Sequence, residues 1–534
     1  MSRKIAFASL LVGSLCVGGC AAETAERPEQ AEAEDAFTSD QATLLDLDLD
    51  GEVVGPSTSS STALIKSQLF FTVGQLNAER SVSRLSKLSL SKVTRASIGG
   101  GLVRVRYHAK LPVAWGSKTA LPSSLALTLP RRGDASGLAT FRARYGATCS
   151  DAPGDVTDGN FWYHFRPAGC ALAAADVTRP TAAVTRSPKN TTGKYPELDR
   201  VWEDGALQVV AIFGKYERGA TTTSDAGVEA YDRFVGALRA EWSDAATTPA
   251  ALPATVDASI PEVTVEAALA DGRAIIVTVK LVDELRSEGA AFDKRFAELT
   301  PGADLVLYNG HAGLGTNVAA LAQKGAWFPG KYQILFVNGC DTFAYQDDTL
   351  AKTRAALNPT DPSGTKHLDV LTNAMPAYFS SLPSASMALL RGLTASTPRT
   401  YEAMFRDIDR AQVVVVDGEE DNTFTPGAEA PPPVVEESGT VTYKEQRAYE
   451  TSTLPAGTYA FEMTPEPSTP GGDADLRVRV GAKPDATQTY KCPSYRYNSN
   501  ERCVVTLASP AKVYFTATGD KSTASSYVIR AFRR

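Results

Sequence analysis

Histidine is scarce in this chain, with four in 534 residues. None stands at the spacing with which a metal centre collects its ligands, so neither a metal nor an organic cofactor is expected. Clustered basic residues are missing as well. The formal net charge is −7, and a surface without a Lys/Arg patch has nothing to neutralise phosphates; nucleic acid is not an expected partner. Beyond the first residues there is no run of about 20 apolar residues, the length a helix needs to cross a bilayer. Cysteine is sparse and odd in number, seven in all, so pairing cannot absorb every thiol.

What is present, 43% hydrophobic and 22% charged residues, is material for about three ordinary domains. The cysteines sort by position. Cys16 lies in the apolar stretch Ile5 to Val17, which follows Arg3 and Lys4 and reads as the core of a secretory signal peptide over 1–19. Val17-Gly18-Gly19-Cys20 resembles a bacterial lipobox, which implies lipidation at Cys20. Membrane attachment would then be through the lipid alone. Export leads to an oxidising compartment, where Cys149 with Cys170 and Cys492 with Cys503 read as local disulfides. Cys340 has no partner. The expected location is the cell envelope, at the outer membrane or cell surface, because Ala21 stands where an inner-membrane retention signal has aspartate.

Composition divides the rest. Residues 20–60, rich in Glu, Asp, Ser and Thr, read as a disordered tether. Residues 61–180 alternate apolar and polar in short runs such as Leu102-Val103-Arg104-Val105-Arg106-Tyr107, the mark of a β-rich domain. From 195 to 425 the pattern changes to nearly continuous apolar runs, Leu207 to Phe213, Leu305 to Tyr308 and Ile334 to Val337, separated by stretches of helical period. That alternation predicts an α/β domain, a mostly parallel sheet with helices on both faces. Ser224-Asp225 supplies a helix N-cap. Pro431-Pro432-Pro433 marks a linker over 426–438, and 439–534 is β-patterned again. The fold class expected is therefore multidomain, a central α/β unit between an N-terminal β-rich domain and a C-terminal β-sandwich.

Ligands of parallel sheets sit at the carboxyl ends of the strands. Two such ends carry reactive groups here: Leu305-Val306-Leu307-Tyr308 runs into Asn309-Gly310-His311-Ala312-Gly313, and Ile334-Leu335-Phe336-Val337 runs into Asn338-Gly339-Cys340. A thiol is a weak nucleophile near neutral pH, and an imidazole able to take its proton activates it. Asn309, Asn338 and Asn373 recur at strand ends, where turn hydrogen bonding is their simplest use.

The order of elements and these two blocks resemble the caspase-like cysteine peptidases of clan CD, in which the histidine follows the third strand and the cysteine the fourth. The resemblance implies His311 as general acid/base and Cys340 as nucleophile. It also implies an oxyanion hole of backbone N–H groups from Cys340 and from Ala312 or Gly313. Ala312 departs from the family's usual glycine after the histidine. Leu454-Pro455-Ala456-Gly457-Thr458-Tyr459 and Gly472-Asp473-Ala474-Asp475-Leu476 are similar to segments of the bacterial pre-peptidase C-terminal domain. A lipid-anchored cysteine peptidase acting on peptide or protein substrates is thus the expectation. The competing reading is a non-catalytic surface lipoprotein that binds envelope polysaccharide or protein on the same scaffold. Asp341, Asp347 and Asp348 follow the nucleophile and could serve a specificity pocket, but solvated loop charges are the favoured explanation. The stretch Asp417 to Asp421 reads as the acidic start of the linker. A third possibility is a latent enzyme whose surface loop, Gln346 to Lys366, must be cut first.

Overall fold

The computed structural model describes residues 36–359, 361–418, 422, 424–427, 432–466, 472–484, 499 and 501–533. The signal segment, Cys16, Cys20 and Cys492 lie outside the described residues.

The centre is a nine-stranded sheet. Five neighbouring strands are parallel, in the spatial order Leu368–Asn373, Gln333–Asn338, Leu305–Asn309, Ala206–Gly214 and Ala274–Val282. The inner strands read as unbroken apolar runs because both faces are covered. On one face lie helices Ala226–Glu241 and Leu382–Thr394, which bring Tyr231, Phe234 and Leu390 against Phe213 and Phe336. On the other, helices Ala290–Leu299 and Thr316–Lys324 pack Phe296 and Leu321 against Val306 and Leu335. Antiparallel strands extend the sheet at both sides. Glu262–Ala268 pairs with Ala274–Val282, and Val414–Gly418 pairs with Leu368–Asn373. No helix among the described residues is long and apolar enough to cross a membrane.

The N-terminal region departs from the expectation in two ways. The tether expected over 20–60 does not extend so far, because Thr38–Ser39 pairs with Val414–Gly418 as an outer strand of the central sheet. Next, Thr43–Pro56 forms a long strand paired over its whole length with Leu102–Trp115. The reason is alternation: Leu45, Leu47 and Leu49 are buried while Asp48 and Asp50 face solvent, a period of two that the acidic composition hides. The region expected to be β-rich also carries helices Ser61–Leu69, Phe71–Asn77 and Ala135–Tyr145. Nor is it a separate body, since Phe37, Leu44 and Phe71 share one apolar core with Phe343, Val413 and Val415. The Cys149–Cys170 disulfide forms within it, as expected.

Asp417, expected in the linker, instead lies in strand Val414–Gly418 and is buried, with Arg84 at 2.6 Å and Gln346 Nε2 donating to it at 2.6 Å. A carboxylate inside a sheet needs such partners. The C-terminal part is two antiparallel sheets of four and three strands packed over Phe461, Val478, Phe515 and Ile529. Its first strand, Val435–Val441, begins inside the expected linker. Cys503 is buried in that core and disulfide-bonded.

Candidate active site

Strands Leu305–Asn309, Gln333–Asn338 and Leu368–Asn373 end at the same level, and each ends in asparagine. The three side chains bond to one another across the strands. Asn338 Nδ2 donates to Asn309 Oδ1 at 2.9 Å, and Asn373 Nδ2 donates to Asn338 Oδ1 at 3.0 Å. Gln412 Nε2 joins the same Asn338 oxygen at 2.9 Å, and Ser386 Oγ donates to Asn309 Oδ1 at 2.8 Å. This buried ladder fixes the relative height of the strand ends, since breaking any link strands a polar group away from water.

Directly beyond the ladder the histidine and cysteine turns touch through their backbones. The amide of Gly310 donates to Asn338 O at 3.2 Å. A Cβ on Gly339 would stand 2.6 Å from Gly310 O and 3.3 Å from Ala312 N, so glycine before the cysteine is what lets the two turns approach.

His311 lies between two rings, Tyr216 at 5.1 Å and Phe379 at 4.9 Å. Its Nε2 is 3.2 Å from Tyr216 O, and its own carbonyl accepts from Tyr308 Oη at 2.7 Å and Asn317 Nδ2 at 2.8 Å. The Tyr216 segment is held in turn by Asp225, the expected N-cap of helix Ala226–Glu241. Burial works to raise this carboxyl, but hydrogen bonds from the amides of Glu217, Tyr216, Val228 and Gly227 outweigh it and leave the group below its ordinary value.

Cys340, the free cysteine among the described residues, is partly buried, and its thiol donates to Ala377 O at 3.4 Å. Burial first, then the charge of Asp341, pushes the thiol up to about 11, so it is protonated at neutral pH. No hydrogen bond joins His311 to Cys340; each holds a backbone carbonyl instead. Ala377, which accepts from the thiol, and Phe379, against which the imidazole packs, both belong to the segment after strand Leu368–Asn373. No backbone hydrogen bond within the described protein occupies the amides of Ala312, Gly313 or Cys340, the groups expected to face an oxyanion.

The acidic residues after Cys340 are held by partners within the protein. Asp341 is buried in a left-handed conformation, φ 52°, accepting from Asn77 Nδ2 at 2.6 Å and Tyr163 Oη at 2.8 Å. Asp348 pairs with Lys87 at 3.0 Å, and Asp347 accepts from the Thr349 amide at 2.9 Å. The expected activation loop, Gln346 to Lys366, contains helix Thr349–Leu357 and a turn in which buried Asp361 accepts from the amides of Gly364 and Lys366.

Burial dominates Asp341 and pushes its carboxyl up to about 6, against hydrogen bonds from Asn77 and Tyr163. A carboxyl raised on folding contributes stability that is full below about pH 4 and is lost as pH rises through about 6. Asp341→Asn, which keeps the shape and removes the charge, is therefore expected to stabilise the protein at pH 8 by about 3 kcal/mol relative to its effect at pH 4. Thermal or urea unfolding at the two pH values measures this, and equal effects at both would refute it.

Sequence reading missed Asn77, Tyr163, Tyr216 and Phe379. None carries a local signal; Asn77 is 264 residues from the aspartate it holds. His108 and His164 face Asp50 and Asp151, each at 2.9 Å, and His164 also packs edge-on against Tyr163 at 5.0 Å. No group of three or more His, Cys, Asp or Glu among the described residues is arranged to hold a metal.

Comparison with known proteins assigns no family: no family model and no curated protein matches the chain. The solution structure of vEP C-ter 100 is 22% identical, over 20% of this chain and 100% of that one, with a TM-score of 0.16. The crystal structure of CapF with inhibitor 3-isopropenyl-tropolone is 7% identical, over 61% and 96% of the two chains, with a TM-score of 0.14. Likenesses this slight say nothing of function.

Proposed function

We propose that the chain is a cysteine peptidase, or a closely related amide hydrolase, of the caspase-like kind, with Cys340 as nucleophile and His311 as acid and base. The observation that carries this reading is the backbone contact between the two turns at the ends of adjacent parallel strands, third and fourth of the parallel set in chain order. In the reaction, Sγ leaves Ala377 O and gives its proton to His311, which has turned from Tyr216 O. The sulfur adds to a peptide carbonyl carbon, and the unoccupied amides of Cys340 and Ala312 or Gly313 receive the oxyanion. Collapse breaks the C–N bond as His311 protonates the departing amine. The thioester is then hydrolysed by a water that His311 deprotonates, returning the thiol.

The resting geometry favours a second reading, a non-catalytic scaffold, in one respect: His311 and Cys340 are each bonded elsewhere. Incubating the full chain with a diverse peptide library decides between them. Cleavage that disappears on iodoacetamide treatment supports the peptidase; no cleavage of any peptide supports the scaffold. Lipidation at Cys20, attachment to the cell envelope through it and a pre-peptidase-type C-terminal sandwich belong to the same proposal. They rest on the sequence patterns alone.

A further inference from the structure

We infer that Asn77 and Tyr163 are positioning residues for Cys340, acting through Asp341. The effect on hydrolysis rests on the peptidase reading; the effect on the thiol does not.

Asp341 is the joint on which the cysteine turn bends. Its φ of 52° is a conformation that residues other than glycine adopt sparingly, and it sits between the nucleophile and the short helix Thr342–Tyr345. Its amide donates to Met375 O at 3.3 Å and its carbonyl accepts from Ala344 N at 2.9 Å. Backbone bonds therefore tie it to the central domain, while both carboxylate oxygens are taken by the N-terminal region. Asn77 ends helix Phe71–Asn77, and Tyr163 lies in the turn Phe161–His164.

Those two elements are locked together. A Cβ on Gly74 would stand 2.4 Å from Trp162 O and 2.6 Å from Tyr163 O, so the helix and the turn are in backbone contact. Arg166 Nη1 ties them further, donating to Gly74 O at 2.6 Å and Tyr163 O at 3.0 Å. The Cys149–Cys170 disulfide brackets the segment that carries Tyr163. A rigid two-pronged clamp thus reaches the carboxylate next to the nucleophile.

The groups acting on this carboxylate are few. Arg166 draws it toward ionisation and Asp151 opposes that, while Cys340 and Tyr345 feel its charge. The Tyr345 hydroxyl is itself buried with no hydrogen-bond partner among the described residues. Donors from Asn77 and Tyr163 draw the carboxylate charge away from the sulfur and hold the turn at its angle. Without them the charge bears more fully on Cys340 and the turn loosens.

The test compares the full chain with Tyr163→Phe, Asn77→Ala, Asp341→Asn and the Tyr163→Phe/Asp341→Asn double variant. Two quantities are read: the pH midpoint of Cys340 alkylation by iodoacetamide, and kcat and KM on a cleaved library peptide. Tyr163→Phe and Asn77→Ala are expected to raise the midpoint by about half a pH unit or more. They should also lower kcat about tenfold, with KM within about twofold. In the Asp341→Asn background Tyr163→Phe is expected to add no shift, because the charge through which it acts is gone. An unmoved midpoint, or a shift that persists without the Asp341 carboxylate, overturns the inference. Tyr163→Phe removes one oxygen only and keeps the test open if Asn77→Ala fails to fold. Should the native chain cleave no peptide, the peptidase reading falls while the alkylation result still decides this one.

Discussion

Cys340→Ala is expected to lower kcat/KM for peptide cleavage by more than about 10⁴-fold and to abolish labelling of the folded chain by an iodoacetamide probe. In the mature chain the cysteines expected to pair as disulfides offer the probe no thiol, Cys16 is expected to leave with the signal peptide and Cys20 to carry the lipid, so loss of labelling reads Cys340 directly. His311→Ala should cost a comparable factor in kcat/KM, and the double variant little more than either, because residues that move one proton between them fail as a unit. That non-additivity separates a dyad from two structural side chains, whose losses would multiply. Undiminished hydrolysis by Cys340→Ala would sink the peptidase reading. Losses that multiply in the double variant would remove His311 from the mechanism while leaving the nucleophile in place.

Gly339→Ala is the second large effect expected. The added methyl meets the backbone oxygen of Gly310 at 2.6 Å, and no side-chain rotation relieves a clash between backbone and Cβ. The two turns must separate, at a cost of about 1–3 kcal/mol. A displacement of about 1 Å between nucleophile and base is enough to lower kcat by about 100-fold. Unfolding experiments and kinetics together check this. Native stability with native kcat in the variant would show that the turns can part without cost.

The central sheet was legible because a strand buried on both faces must be apolar throughout, and Leu207 to Phe213 or Ile334 to Val337 admit little else. The first long helix was legible from Asp225, which caps it as its position before the apolar period implies. The strand Thr43–Pro56 was hidden by its aspartates, which suit the solvent-facing side of a sheet as well as a disordered segment. At the site, local sequence sufficed for His311 and Cys340, whose strand ends are glycine turns. It did not suffice for what holds them. Asn77 and Tyr163 reach Asp341 through an interface between regions remote in sequence, and hydrogen bonds of that kind leave no periodicity to read. The asparagines lay between these cases. Their recurrence was visible, but their bonding to one another depends on strand register.

The two-residue strand Thr38–Ser39 bears on how the protein comes to exist. Ser39 Oγ donates to Val414 O across 375 residues, so the outer side of the central sheet stays uncovered until nearly the whole α/β region has been made and delivered. Contacts of such sequence separation close late and slowly. The Asn77–Asp341 bond has the same character. On the proposed reading, a chain delivered N-terminus first carries Asn77 and Tyr163 long before Asp341, so the grip on the cysteine turn closes only after residue 341 has followed, and hydrolytic competence becomes a property of the finished fold.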